Sequence, residues 1–150
     1  MGFNGMNLWQ RESQIAKVIE TNQKTAKFGL SLTEEEAKLI VREKSDVLKR
    51  QRRVEFGAGI TEKLIFEFCD SVYLDSSNYV ETIIRLQEIF YCYKNEVLDQ
   101  VTDDELLHFM KKQFETRCHG DLDYLESTCL ENFARAIRAG YDPDWEEWES

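Results

Sequence analysis

The stretch TDDELLHFM, residues 102–110, places Glu105 three positions before His108. At that spacing one face of a helix can offer a carboxylate and an imidazole to a metal ion. A carboxylate-bridged di-metal bundle needs this pair from two helices and a further Glu from each of two others, all aimed inward. The chain has only two histidines, His108 and His119, and Thr116 stands three places before His119. A second copy of the motif would therefore have to come from a symmetric dimer. At about 100° per residue, Leu106, Leu107, Met110, Phe114 and Cys118 share one side of a helix, and His108 projects roughly 130° away from their mean direction. Glu105 points further out still, among Lys112 and Glu115, with Phe109 the one apolar residue on that side. The preferred reading is a solvated face on which Glu105 closes a helix cap with Thr102 and His108 is a surface histidine. The alternative keeps Glu105 and His108 as metal ligands, helped by Asp103, Asp104 or a symmetry mate.

The remaining reactive side chains form no stronger pattern. Cys69, Cys92, Cys118 and Cys129 are widely spaced, and each falls inside an apolar helical stripe, so they read as free buried thiols rather than a disulfide framework. A zinc site from Cys92, Cys118, His119 and Cys129 lacks any C-x-x-C pair, and neighbours such as Cys118 and His119 diverge by about 100° on a helix. The same divergence argues against a Cys118–His119 nucleophile pair. No G-x-S-x-G elbow, Walker loop, H-E-x-x-H or dinucleotide glycine pattern occurs, and the acids Asp121 and Asp123 suit a helix start. The reading leans away from an enzyme, and no cofactor is expected.

The elements that must position these residues are helices. The 150 residues include one proline, Pro143, and seven glycines that mostly separate periodic segments, with no linker rich in Pro, Gly or Ser to divide the chain. The expected fold is all-α, a single-domain bundle of about six helices over residues 1–140. The first runs from about Trp9 to Ala26 with Ile15, Val18, Ile19 and Ala26 inward, and Gly29 follows as a left-handed stop. Thr33 and Glu36 form a capping box for the second, which carries Ala37, Ile40, Val41, Val47 and Leu48. It ends in KRQRR, residues 49–53, where cations complement the negative helix end; anion or acidic-peptide binding is the alternative. After the glycine-bearing connector 54–60, a third helix spans about Thr61 to Tyr73, with Ile60, Leu64, Ile65, Phe68, Cys69 and Val72 making its apolar face. DSSN, residues 75–78, caps a long fourth helix to about Asp99. This has one stripe of Tyr79, Ile83, Leu86, Phe90, Tyr93 and Val97 and a second of Val80, Ile84, Tyr91 and Leu98. The fifth helix starts at the Thr102 cap and ends near Cys118. The sixth runs from Asp121 to Ala139 with Leu122, Leu125, Cys129, Phe133, Ala136 and Ile137 inward.

The last ten residues, YDPDWEEWES, form a separate acidic and aromatic segment, 141–150, with five acids and no base. Asp142 before Pro143 suits a helix start, and Tyr141, Trp145 and Trp148 then recur at i, i+4 and i+7. So short a helix must dock on something or fray. Docking on its own domain is one reading. The other is that Tyr141, Trp145 and Trp148 anchor in a groove of a protein partner or a second subunit.

Charge and hydropathy narrow the partners. The formal net charge is −10, from 19 basic and 29 acidic residues, a field that repels polyphosphate and anionic membrane surfaces. The start, MGFNGMNLWQRES, lacks a cationic stretch followed by an apolar run, and Met6 occupies the position where a myristoylation signal requires Ser or Thr. No segment approaches the ~20 apolar residues needed to span a bilayer. The expectation is a cytoplasmic protein whose partners are neither nucleic acid nor membrane.

From about Lys27 to Gly140, the runs KFGLSLTEEEAK, RRVEFGAGI, TDDELLHFM and ENFARAIRAG resemble an uncharacterised family of cytoplasmic proteins from clostridia and related Firmicutes. The resemblance implies a bacterial, cytoplasmic origin and carries no activity, cofactor or substrate. The function expected from the residues is non-enzymatic: a protein-binding or adaptor domain using an apolar and aromatic helical surface, or formation of a homo-oligomer. A metal-binding bundle built on Glu105 and His108, and a small-molecule sensor, are the alternatives.

Overall fold

Thr33 and Thr102 mark the two most strongly encoded helix starts. In the computed structural model, which describes residues 8–55 and 59–140, each closes a reciprocal capping box. The Thr33 hydroxyl accepts from Glu36 N–H at 3.1 Å while Thr33 N–H donates to Glu36 Oε1 at 2.9 Å. Thr102 and Glu105 repeat the arrangement at 3.1 and 2.9 Å. Each box satisfies two amides that a helix N-terminus leaves open.

Over the described residues the protein is all-α. Helix α1 is Leu8–Glu20, α2 is Glu34–Arg50, α3 is Thr61–Phe68, α4 is Tyr79–Glu96 and α5 is Asp103–Thr116. The last helical run, α6, comprises Leu122–Tyr124, a wider-turned π segment Leu125–Leu130, and Glu131–Arg138. The chain divides into two compact units, Met1–Glu88 and Ile89–Ser150, so the residues of α4 are split between them.

In the first unit, α1 packs on α2 and α3. The first helix stops earlier than its periodicity predicts. The Thr21 hydroxyl donates to the Val18 carbonyl at 2.6 Å, and the chain continues as the short turn Asn22–Thr25 and a 3-10 turn, Ala26–Phe28, before Gly29 at φ +78°. Ala26, expected inward, is exposed; Thr21 and Thr25 are the buried residues of this stretch. The Asn22 side chain pins the connector to α2, donating to Leu32 O at 2.9 Å and accepting from Leu32 N–H at 2.8 Å.

α3 also ends short, at Phe68. Ser71 N–H turns back to Phe68 O at 3.0 Å and the Ser71 hydroxyl accepts from Tyr73 N–H at 3.1 Å. Val72 consequently faces solvent, 85% exposed, and Leu74 is buried instead. Asp75 then caps α4, accepting from the N–H groups of Ser77 and Asn78.

In the second unit, α4 ends at Glu96, and Leu98 and Asp99 adopt left-handed φ values of 57° and 56°. That turn exposes Leu98, which the second stripe had placed inward. Buried Lys94 holds the connector by donating to Val101 O and pairing with Asp103 at 2.8 Å. Phe109, expected on the solvated face of α5, is buried and stacks on Phe133 with ring centroids 4.1 Å apart. A helix packed by more than one neighbour buries a wider arc than its main stripe. On α6 the π segment alters the inward set: Leu130 and Ala134 are buried, while Leu122 and Ala136 are only partly covered.

Candidate functional site

Glu105 and His108 both lie on α5. One Glu105 oxygen is committed to Thr102 N–H, and the His108 side chain is exposed. Among the described residues no three His, Cys, Asp or Glu side chains gather where a metal could be held. Tyr141, Trp145 and Trp148 lie outside the described residues.

Exposed apolar side chains mark a different place. Along α1, Leu8, Ile15 and Ile19 recur on one side, with Trp9 and Ala16 flanking them. Yet Val18 is the only buried residue of this 13-residue helix. Leu8 is 71% and Trp9 73% exposed. A tryptophan this open is unusual, because its large apolar surface favours burial. Two further aromatics of the same unit are partly exposed and carry cations: Lys24 Nζ lies 4.8 Å from the centroid of the Phe66 ring, and Lys27 Nζ 5.2 Å from that of Phe28. Such pairs are held by the attraction of the ring face for positive charge.

Inside the same unit sits a polar cluster that the sequence did not single out. Lys44, on the buried side of α2, pairs with Glu55 at 2.7 Å. Gly59, at φ +77°, lies against the pair: a Cβ there would fall on Glu55 Oε1 and 2.8 Å from Lys44 Nζ. Burial pushes the nearby Glu62 carboxyl above its ordinary range, while its own backbone N–H and the Lys44 charge pull the other way. One turn earlier on α2, the Ile40 carbonyl accepts from the Gln87 amide at 3.3 Å, and Gln87 Oε1 accepts from the Thr61 hydroxyl at 2.6 Å. The cluster fixes the end of α2, the approach to α3 and the first part of α4 to one another. Its signal was present in the sequence, since Lys44 follows Ile40 by four and precedes Val47 by three. The KRQRR run at the end of α2 shows one of its cations, Arg50, paired with Glu88 at 3.5 Å.

In the second unit, Cys118 and Cys129, expected as free buried thiols, lie together with their Sγ atoms 3.8 Å apart. Each was correctly placed on an inward stripe, but which stripes face each other is not a property of either helix alone.

Over the described residues, fold and site define a small all-helical protein with exposed aromatics on one unit and a buried Lys44–Glu55 ion pair inside it. No helix of the described residues is long and apolar enough to cross a membrane. The chain belongs to a family of unknown function, DUF6323, whose model matches residues 17–143. No curated protein and no solved structure matches it.

Proposed function

We propose that this chain is a non-enzymatic protein-binding module and that α1 is a principal contact element. The observation that carries the reading is the exposure of Leu8 and Trp9 on a helix with one buried side chain. An isolated helix of this length is marginal in water, and helices in proteins are stabilised chiefly by packing an apolar face. A partner that covers Leu8, Trp9 and Ala16 supplies that packing, with Trp9 as the anchor expected of a binding hot spot. Tyr141, Trp145 and Trp148 form a second contact element in this reading. The setting is bacterial and cytoplasmic. Neither nucleic acid nor an anionic membrane suits a chain of net charge −10.

The test replaces Trp9 by a photo-crosslinking residue in the full chain, with the same residue at exposed Lys38 as control, and irradiates cells of the source organism. A defined adduct at position 9, to another protein or to a second copy, is expected. It should disappear when Leu8→Asp is added and circular dichroism shows the helical content retained. Equal, diffuse labelling at both positions would remove the reading.

A further inference from the structure

The Cys118–Cys129 contact joins two backbone features that serve no part of the binding reading. Cys118 follows the last turn of α5, where Cys118 N–H donates to Gln113 O at 2.9 Å and Gly120 N–H returns to Phe114 O at 3.0 Å. His119 and Gly120 then take left-handed φ values of 47° and 83°, a conformation available to glycine at little cost. The chain therefore reverses immediately after Cys118. Cys129 lies in the π segment of α6, against which α5 packs. Both cysteines are buried, both are free, and they are separated by ten intervening residues.

We propose that Cys118 and Cys129 are a peroxide-responsive dithiol, a modification site that closes to a disulfide and ties the end of α5 to the π segment. The Sγ atoms must approach from 3.8 Å to about 2 Å. The elbow at Gly120 on one side and the wide turn on the other let the backbone follow. The oxidant is a small hydroperoxide. One thiolate of the pair attacks one peroxide oxygen, the O–O bond breaks, and the departing oxygen leaves as water after protonation, giving a sulfenic acid. The other sulfur then attacks the sulfenic sulfur; the S–O bond breaks and a second water leaves. Two thiols and one hydrogen peroxide thus become one disulfide and two waters, with two electrons passing from sulfur to peroxide.

Burial pushes the Cys118 thiol up to about 12. It raises Cys129 as well, and the Arg117 charge acts against the rise at both sulfurs. Either thiol therefore serves as the initial nucleophile, with the other resolving. Both rises make the pair slow at neutral pH compared with a catalytic cysteine, which suits a response to sustained oxidant.

The full chain, folded, is treated with hydrogen peroxide, quenched, denatured, alkylated and cut with trypsin. Cleavage after Arg117 and Arg135 releases both cysteines on one peptide, 118–135, whereas Cys69 and Cys92 fall on 64–85 and 86–94. Peptide 118–135 is expected to lose two hydrogens and escape alkylation, while the other two remain alkylated. Oxidation of Cys69 or Cys92 with 118–135 still fully alkylated would overturn the proposal. So would an equal yield of the cross-link from urea-unfolded protein, because the fold would then contribute nothing. In Cys118→Ser and Cys129→Ser the sulfenic acid has no resolving thiol, and a dimedone adduct on the remaining cysteine of the pair is expected; its absence from both variants under the same peroxide treatment would also overturn the assignment.

Discussion

At the scale of single residues, the Lys44–Glu55 pair is asymmetric, and the asymmetry sets what each substitution should do. The Lys44 side chain is 3% exposed and that of Glu55 15%. Removing the carboxylate strands a nearly dry ammonium, whereas removing the ammonium leaves a carboxylate with some access to water. Breaking a buried pair typically costs about 3–5 kcal/mol. Glu55→Gln is therefore expected to lose stability near that range in urea unfolding of the full chain, and Lys44→Met to lose less. The double variant should recover much of the loss, because no unpaired charge remains. Purely additive losses would mean that the two charges are not coupled. Gly59→Ala belongs to the same site. It combines a positive φ with a Cβ that collides with the pair, and a loss of at least ~1 kcal/mol is expected. Periodicity made the position of Lys44 legible and left its partner hidden. A lysine within an apolar stripe requires a counter-charge, but Glu55 lies beyond the end of α2, after a reversal in which Arg52 takes φ 56° and Arg53 N–H donates to Leu48 O at 2.9 Å.

At the scale of elements, the starts of α2 and α5 were legible because a capping box is written within four residues. Thr102→Ala should cost about 1 kcal/mol and fray the start of α5. The thermal unfolding midpoint should not respond to added zinc in the parent or in His108→Ala. A midpoint raised by zinc in the parent and not in His108→Ala would instead revive the metal reading. The ends of α1 and α3 were less legible, since Thr21 and Ser71 stop those helices by hydrogen bonds of side chains that a helix also tolerates. Least legible was the π segment of α6. Its widened turn is held from another element: the Tyr93 hydroxyl lies 2.8 Å from the Glu126 carbonyl and 3.0 Å from Glu131 Oε2 and shares its proton between them. Tyr93→Phe is expected to lower stability by about 1–2 kcal/mol and to reduce amide-exchange protection across residues 125–130 more than across α5. Equal loss of protection in both would assign Tyr93 a general packing role. The exposed face of α1 could not be read from sequence either, because a stripe of apolar residues looks the same whether its partner belongs to the chain or not.

At the scale of the whole molecule, the stability of this acidic chain should be limited on the alkaline side by groups buried in their neutral forms. Burial raises Tyr79 to about 12. Burial and the Glu131 carboxylate raise Tyr93 further, and Cys118 reaches about 12. These acids hold their protons more tightly folded than unfolded. The stability they contribute is complete below the unfolded values, near 9 for cysteine and 10 for tyrosine, and is lost as pH rises through the folded ones. The opposite sign holds at Asp75, whose carboxyl is lowered mainly by the Ser77 hydroxyl and amide; its cap is lost as pH falls below the ordinary carboxylate range. Urea midpoints should therefore be flat near neutrality and fall steeply between about pH 9 and 12, each pKa unit of difference being worth roughly 1.4 kcal/mol. Tyr79→Phe isolates one contributor. Among the described residues its buried hydroxyl has no hydrogen-bond partner, so the variant should be at least as stable as the parent at pH 7, where an unsatisfied polar group is removed. It should also show a shallower alkaline fall. A variant less stable at pH 7 and equally steep above pH 9 would mean that the hydroxyl is satisfied in solution and ionises as an ordinary tyrosine.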